Sequence, residues 1–425
     1  MLRRALFLVP LFLSSPAPAA TKSGLDVLAP QYVQLQLDIG EKEDGYIDAY
    51  YGPASFKTQA QANAKTTDLP SLQRRAESLL NRVNATVKEN PARARFLAAQ
   101  IHAAITRLKM LQGEKLSFDE EARGLFGLTP KLKPLSAYDP ILARIERLVP
   151  GNGPLAERVD AFQDRFVINT ERLKPVFDAA IAGCKARTER HIRLPKGERF
   201  DLAFVTGKSW SGYNYYQGHY TSRIEVNTDL PIRISRAVDL GCHEGYPGHH
   251  VLNSLLEQKL ERGRGWIEFS VYPLFSPQSV IAEGSANYGI DLAFPGPQKL
   301  AFETSALYPR AGLPTRDAAR YSALLKAMKD LAGARMTIAR EFLDGRISEA
   351  QAVELTRHYQ LTSEARAKQS IAFTKQYRTY VLNYGLGEQM VREDVESRRG
   401  TAARWRRFEQ IVSEPTLPAN LKASR

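Results

Sequence analysis

His243-Glu244-Gly245-Tyr246-Pro247-Gly248-His249-His250 holds three of the chain's seven histidines, with a carboxylate directly after the first. Imidazole is the commonest zinc ligand among side chains, and a Glu beside a ligand His can reach a water activated by the ion. The zinc-hydrolase pattern H-E-x-x-H places its two histidines at i and i+4 on one helical face. Here position i+4 is Pro247. Proline lacks an N–H and clashes with the preceding turn, so a helix carrying His243 has to break there, and Gly248 supplies the backbone freedom for it. In an unbroken helix His249 would lie about 240° round from His243, and His250 would face correctly but about 10 Å further along the axis. Zinc–nitrogen bonds are only about 2 Å long, so neither could share an ion with His243. A bulge at Pro247-Gly248 absorbs two residues and brings His249 to where an i+4 histidine would sit. His249 is therefore preferred as the second ligand, with His250 as the alternative.

Outward from this block the chain reads as mainly helical. Its 425 residues are 43% hydrophobic and 25% charged, a globular composition with material for one large domain or two to three smaller ones. Residues 71–90 and 93–112 carry apolar positions at three- and four-residue spacing. Pro130, Pro134 and Pro140 interrupt the pattern, and Pro150-Gly151-Asn152-Gly153-Pro154 stops it. The stop divides an N-terminal helical lobe, 20–150, from a catalytic helical lobe, 151–425, unless the two form one continuous domain. From Leu155 to about His191 a single helix is expected, kinked at Pro175. Short strands are expected at 200–205 and 223–227, a small β element (about 200–228) with an aromatic-rich run at 209–220 between them. Ser235 is read as the cap of a helix carrying Asp239 and His243, and Ser276-Pro277 as the start of one running through Glu283 to about Leu292. Further helices are expected at 315–344, 349–359 (capping box Ser348-x-x-Gln351), 362–398 and 402–412, with a loose tail after Pro415.

Arg3 and Arg4, the apolar stretch Ala5 to Leu13 and Ala17-Pro18-Ala19 read as a signal peptide, 1–19, cleaved near Ala19. A periplasmic or secreted protein without stable membrane insertion is expected. The net charge is +13, but the basic residues are scattered and no nucleic-acid module is found, so nucleic acid is not an expected partner. Cys184 and Cys242 are the two cysteines. In an oxidising compartment they could pair, but a free, packed thiol is the preferred reading.

A third metal ligand has to come from elsewhere. Glu283-Gly284-Ser285-Ala286-Asn287-Tyr288 offers a carboxylate with small neighbours that permit close helix approach. Two His, one Glu and an open position make a zinc hydrolase site, with Glu244 as general base. Asp239 and Asn287 stand one helical turn from His243 and Glu283 and are expected to hold the ligand imidazoles. His219, Tyr216 and Tyr220 are candidates for lining a cleft and donating a hydrogen bond to a developing oxyanion. The strand 223–227 is read either as a free edge that pairs with an extended peptide or as an ordinary sheet strand. His102, His191 and His358 are read as packed core residues. Gly207-Lys208-Ser209-Trp210-Ser211 misses the nucleophile pattern G-x-S-x-G at its last position and is discounted.

The block His243-Glu244-x-x-Pro247-Gly248-His249 with Glu283-Gly284-x-Ala286-x-Tyr288 resembles the bacterial DUF885 family, whose motif is H-E-x-x-P-G-H. Gly45-Tyr46-Ile47-Asp48-Ala49-Tyr50-Tyr51-Gly52-Pro53, Arg223-Ile224-Glu225-Val226-Asn227-Thr228 and Arg378-x-Tyr380-x-x-Asn383-Tyr384-x-x-Gly387 extend the resemblance over nearly all the mature chain. Ser285 stands where members often have Trp, and a Tyr/Asn version replaces the terminal P-G-Q type motif. The resemblance implies a two-lobed, zincin-like helical architecture and a metallopeptidase with one zinc ion per chain. It also supports catalytic roles for Tyr380 and Tyr384 and a substrate-binding one for Arg378, while Arg223 and Asn227 on the strand 223–227 are further substrate-binding candidates. The substrate expected is a peptide or small amide. A metal-dependent amidase on a non-peptide substrate and a catalytically silent envelope binding protein are the alternatives.

Overall fold

The computed structural model describes residues 23–421. The expected signal peptide lies outside the described residues. Helix starts are set by side chains that accept the orphan N–H groups of the first turn. Ser23 with Asp26, Ser117 with Glu120 and Ser348 with Gln351 form capping boxes on helices Gly24–Gly40, Phe118–Phe126 and Glu349–Gln360. Asp68 and Asn90 cap Leu69–Ala85 and Pro91–Leu111, the two helices whose periodicity was plainest in the sequence. On the first, buried Leu72, Ala76, Leu79 and Val83 make one apolar stripe. It joins Leu97, Ile101, Ala104 and Leu108 in a core built mostly from the first 128 residues. A second core holds Phe177, Val238, Leu255, Tyr288 and Phe408. Helix Pro277–Ala293 enters both, with Val280 in the first and Ile281, Ala282 and Tyr288 in the second.

The β structure is small. β1 (Ile47–Tyr50) pairs antiparallel with β5 (Val271–Pro273). β2 (Arg199–Val205), β3 (Gly212–Tyr216) and β4 (Thr221–Asn227) form a sheet in the order β2-β4-β3. β4 is parallel to β2 and antiparallel to β3. With a strand on each side, β4 has no free edge, so of the two readings of 223–227 the ordinary sheet strand holds.

Several long helical patterns are divided by tertiary contacts that periodicity does not encode. The stretch 155–191 becomes Leu155–Asp164 and Thr170–Thr188, with the break where Val167 bridges Arg233. Pro175 sits within the second of these helices. The stretch 315–344 becomes Ala318–Lys329 and Ala332–Leu343. The stretch 362–398 becomes Glu364–Tyr377, a short 3-10 turn and Val381–Glu396. Ser235 is the first residue of its helix rather than the cap, and its hydroxyl lies 3.0 Å from that of Tyr321. The expected loose tail is docked as far as it is described, with Leu417 and Leu421 buried.

Cys184 and Cys242 are not free thiols; they form a disulfide, with Cα atoms 5.5 Å apart. Helix Thr170–Thr188 packs along Ser235–Leu240 and the turn after it, which brings together residues 58 apart in sequence. Closing a loop of that length removes about 4 kcal/mol of unfolded-chain entropy. Among the described residues no helix is long and apolar enough to cross a membrane.

Candidate metal centre

Helix Ser235–Leu240 widens into a π-helical segment, Gly241–Gly245, that carries His243 and Glu244. The Tyr246–Pro247 peptide is cis, and helix resumes at His249–Leu256. A Cβ on Gly248 would fall 1.7 Å from the His243 carbonyl oxygen, so this fold of the chain requires glycine. The break thus lies where Pro247 and Gly248 placed it, and it sets His249 Nε2 3.1 Å from His243 Nε2. Asn214 in β3 donates to the Glu244 carbonyl at 2.7 Å. The Glu244 carboxylate lies against Gly212, where a Cβ would come within 2.9 Å of Oε1.

Glu283 arrives from helix Pro277–Ala293, which crosses Val381–Glu396 at Gly284 and Gly387. A Cβ on Gly284 would sit 2.4 Å from the Gly387 carbonyl oxygen. This close crossing puts Tyr380, Tyr384 and Glu283 together. The Tyr380 hydroxyl donates to Glu283 Oε1 at 2.8 Å. Asn287 Nδ2 donates to the Tyr384 carbonyl at 3.1 Å, which turns Asn287 Oδ1 toward His243 Nδ1, 3.0 Å away. A proton on His243 Nδ1 leaves Nε2 as a lone pair, and that lone pair faces Glu283 Oε2 at 3.2 Å. Glu283 Oε2 has no hydrogen-bond partner. It lies 3.7 Å from His249 Nε2.

The ligand-type atoms of His243, Glu244 and His249 lie within 4.8 Å of one another, a group able to hold a metal ion. Glu283 is the closer of the two carboxylates to the imidazoles. Bonds of 2.0–2.2 Å to a tetrahedral ion put ligand atoms about 3.3–3.6 Å apart. The three observed separations, 3.1, 3.2 and 3.7 Å, bracket that range, so the donor set fits the ion.

The electrostatics also favour a cation. Burial pushes the Glu244 carboxyl above its usual range, against the pull of His243 and His249. Burial carries Asp48, on β1, up to about 6 despite the hydrogen bond it accepts from the Tyr213 hydroxyl. For Glu283 burial pushes upward, but the two imidazoles outweigh it and hold the group well below the carboxylate range. His249 answers in kind: burial lowers it, while Glu283, Glu244 and Asp48 raise it to about 9. The group opens on a cavity of about 1220 Å³ walled by Trp210, Tyr213, Tyr272, Phe373, Tyr377 and Tyr384. The Tyr384 ring stacks 6.4 Å from that of His243, and its hydroxyl has no partner among the described residues.

Other residues singled out in the sequence lie elsewhere. Asp239 does not hold a ligand imidazole, because it pairs with Lys299 and lies 3.7 Å from Arg236. The π-helical widening after Leu240 turns His243 off its face. His250 has both ring nitrogens committed, to Ser222 at 2.8 Å and to Glu198 at 2.7 Å, which removes it as the alternative ligand. Tyr216, His219 and Tyr220 do not line the cavity but converge on Glu257. The Tyr216 hydroxyl donates at 2.5 Å, and the His219 and Tyr220 N–H groups at 3.0 and 3.4 Å. Arg223 pairs with Glu225. Arg378 binds buried Glu121 outside the cavity, so neither arginine is placed to meet a substrate there. Asn227 donates to the Lys208 and Trp210 carbonyls and so shapes the loop that carries the Trp210 wall, without lining the cavity itself. Conversely, sequence reasoning missed Asp48, Tyr213, Asn214 and Arg335 as cavity residues. Asp48 lay inside the quoted Gly45–Pro53 motif and Tyr213 inside the aromatic run, but nothing in the sequence marked Arg335.

No family model matches the chain, and no curated protein matches it. By structure it is similar to a crystal structure described as "the putative lipoprotein from Colwellia psychrerythraea", with a TM-score of 0.52 and 15% sequence identity. The likeness covers 92% of this chain and 74% of that one. At that identity it shows the fold.

Proposed function

We propose that the chain is an exported, zinc-dependent hydrolase that cleaves amide bonds of small or unfolded peptides in the cavity beside Glu244. The observation that carries this reading is the convergence of His243 Nε2, His249 Nε2 and Glu283 Oε2 at tetrahedral spacing, with a second carboxylate adjoining them. His243, His249 and Glu283 would hold one zinc ion, which when bound supplies a Lewis acid and lowers the pKa of water toward about 7.

Glu244, its carboxyl made more basic by burial, accepts a proton from the attacking water. The water oxygen forms the new bond to the carbonyl carbon, the C–N bond breaks, and Glu244 returns the proton to the leaving amine. Tyr384, with its hydroxyl unspent, would donate to the oxyanion. Tyr380 has already given its hydroxyl to Glu283 and orients that carboxylate. Asn287 fixes the His243 tautomer. On this reading the two cores would correspond to the two lobes expected on either side of the cleft. The disulfide agrees with an oxidising compartment, as export requires.

Metal analysis of the purified protein, followed by digestion of a peptide library with and without chelator, tests this. Zinc near one per chain and cleavage that chelator abolishes and zinc restores are the expected results. Cleavage indifferent to chelator would sink the mechanism.

A further inference from the structure

Of the eight cations on the cavity wall, Arg236, Lys299, Lys329 and Arg392 pair with carboxylates, and Lys326, Arg335, Arg366 and Arg404 do not among the described residues. Lys299 meets Asp239, Lys329 meets Asp291 and Glu388, and Arg392 meets Asp291, Glu388 and Glu396. Of the unpaired four, Arg335 alone has a buried nitrogen without a hydrogen-bond partner, its Nε. Its guanidinium carbon lies over two ring faces, 5.4 Å from the Phe373 centroid and 5.8 Å from that of Tyr384. Nor does its own helix explain it. Arg335 stands in the first turn of Ala332–Leu343, where the helix dipole favours anions over cations. Burial pushes its pKa down, against the pull of Tyr384 and Glu283, but an arginine there stays charged. A planar, largely desolvated cation with unspent donors at the wall of a substrate cavity suits bidentate capture of a carboxylate.

We propose that Arg335 is the receptor for the free C-terminal carboxylate of a peptide substrate, so that the chain trims one or two residues from that end. This rests on the hydrolase reading and narrows its substrate class. The Tyr384 ring supplies the distance: it lies 5.8 Å from the Arg335 guanidinium carbon and 6.4 Å from the His243 ring, so those two lie within about 12 Å of each other. A guanidinium–carboxylate pair takes up about 4 Å of that span, given bonds of about 2.8 Å. One or two residues at roughly 3.3–3.6 Å each are the most that what remains can hold.

The test uses zinc-loaded protein and one library of N-acetylated hexapeptides, presented as free acids and as C-terminal amides. Wild type should favour the acids by at least tenfold in kcat/KM, chiefly through KM, and mass analysis should find cleavage one or two residues from the C-terminus. Arg335→Met should collapse the acid-to-amide ratio toward one, and Arg335→Lys should recover part of it; a purely structural arginine would lower both substrates alike. Equal wild-type cleavage of acids and amides, internal cleavage, or a ratio that survives Arg335→Met would overturn the assignment while leaving the hydrolase intact. Should neither library be cleaved, the hydrolase reading fails by itself, and thermal shift decides the receptor. Stabilisation by the acid library alone, absent in Arg335→Met, supports it; equal stabilisation or none overturns it.

Discussion

Glu257 and Glu283 are both buried carboxylates ringed by tyrosine and histidine, yet their oxygens are satisfied in opposite ways. Both oxygens of Glu257 receive donors from Tyr216, His219, Tyr220 and Arg262. His219 and Tyr220 adopt positive φ values of 54° and 58°, aiming main-chain N–H groups at it. Glu283 accepts one hydrogen bond, from Tyr380, and its other oxygen faces two imidazole nitrogens with no hydrogen bond made. A buried carboxylate short of donors is costly unless a cation arrives. The first arrangement is complete as folded and joins β3 and the turn before β4 to the segment Glu257–Arg262. The second is complete only with something added. The comparison teaches that residue type is a poor guide to which cluster does chemistry, whereas the count of unspent lone pairs separates them.

The sharpest way to break that contrast is Glu244→Gln. It keeps the shape of the site and removes the proton acceptor, so peptide cleavage should fall by about 10²–10⁴-fold, the usual worth of a general base. Zinc content and thermal midpoint should stay close to wild type. Retained turnover in the metal-loaded variant would remove Glu244 from the mechanism.

How much of this contrast was legible in the sequence follows from the range of the interactions. The break at Pro247-Gly248 is local, set by a missing N–H and a missing Cβ, and its consequence for His249 could be worked out from helix geometry alone. The small residue beside Glu283 signalled a close helix crossing for the same reason, and Gly284 meets Gly387 there. The fate of the aromatic run was not legible. Tyr213 and Tyr216 are three residues apart, yet one walls the cavity and the other serves Glu257, a carboxylate 41 residues further along. Arg378 likewise looked like a substrate residue and instead bonds Glu121, 257 residues away, across the break in its own helix. Periodicity also carries no sign of the disulfide, because helix Thr170–Thr188 and the π-helical segment meet only once both have packed.

Smaller effects sharpen the comparison on each side. Asn287→Ala removes the acceptor that holds the His243 proton on Nδ1. Zinc affinity, measured by competition with a chromophoric chelator, should drop about 10–100-fold, with Asn287→Asp restoring most of it. Unchanged affinity in the alanine variant would mean that His243 is not held for metal. Glu257→Gln should act on the other quantity. It sets an amide N–H against the donors that now converge, but Arg262 is 43% exposed at its side chain and can return to water. The loss in unfolding free energy should therefore be about 1–2 kcal/mol, within the range for a buried donor left unsatisfied. Denaturant titration would read that loss while the chelator competition reads none. If Glu257→Gln instead released zinc without lowering stability, the two clusters would be one functional unit, and unspent lone pairs would no longer tell them apart.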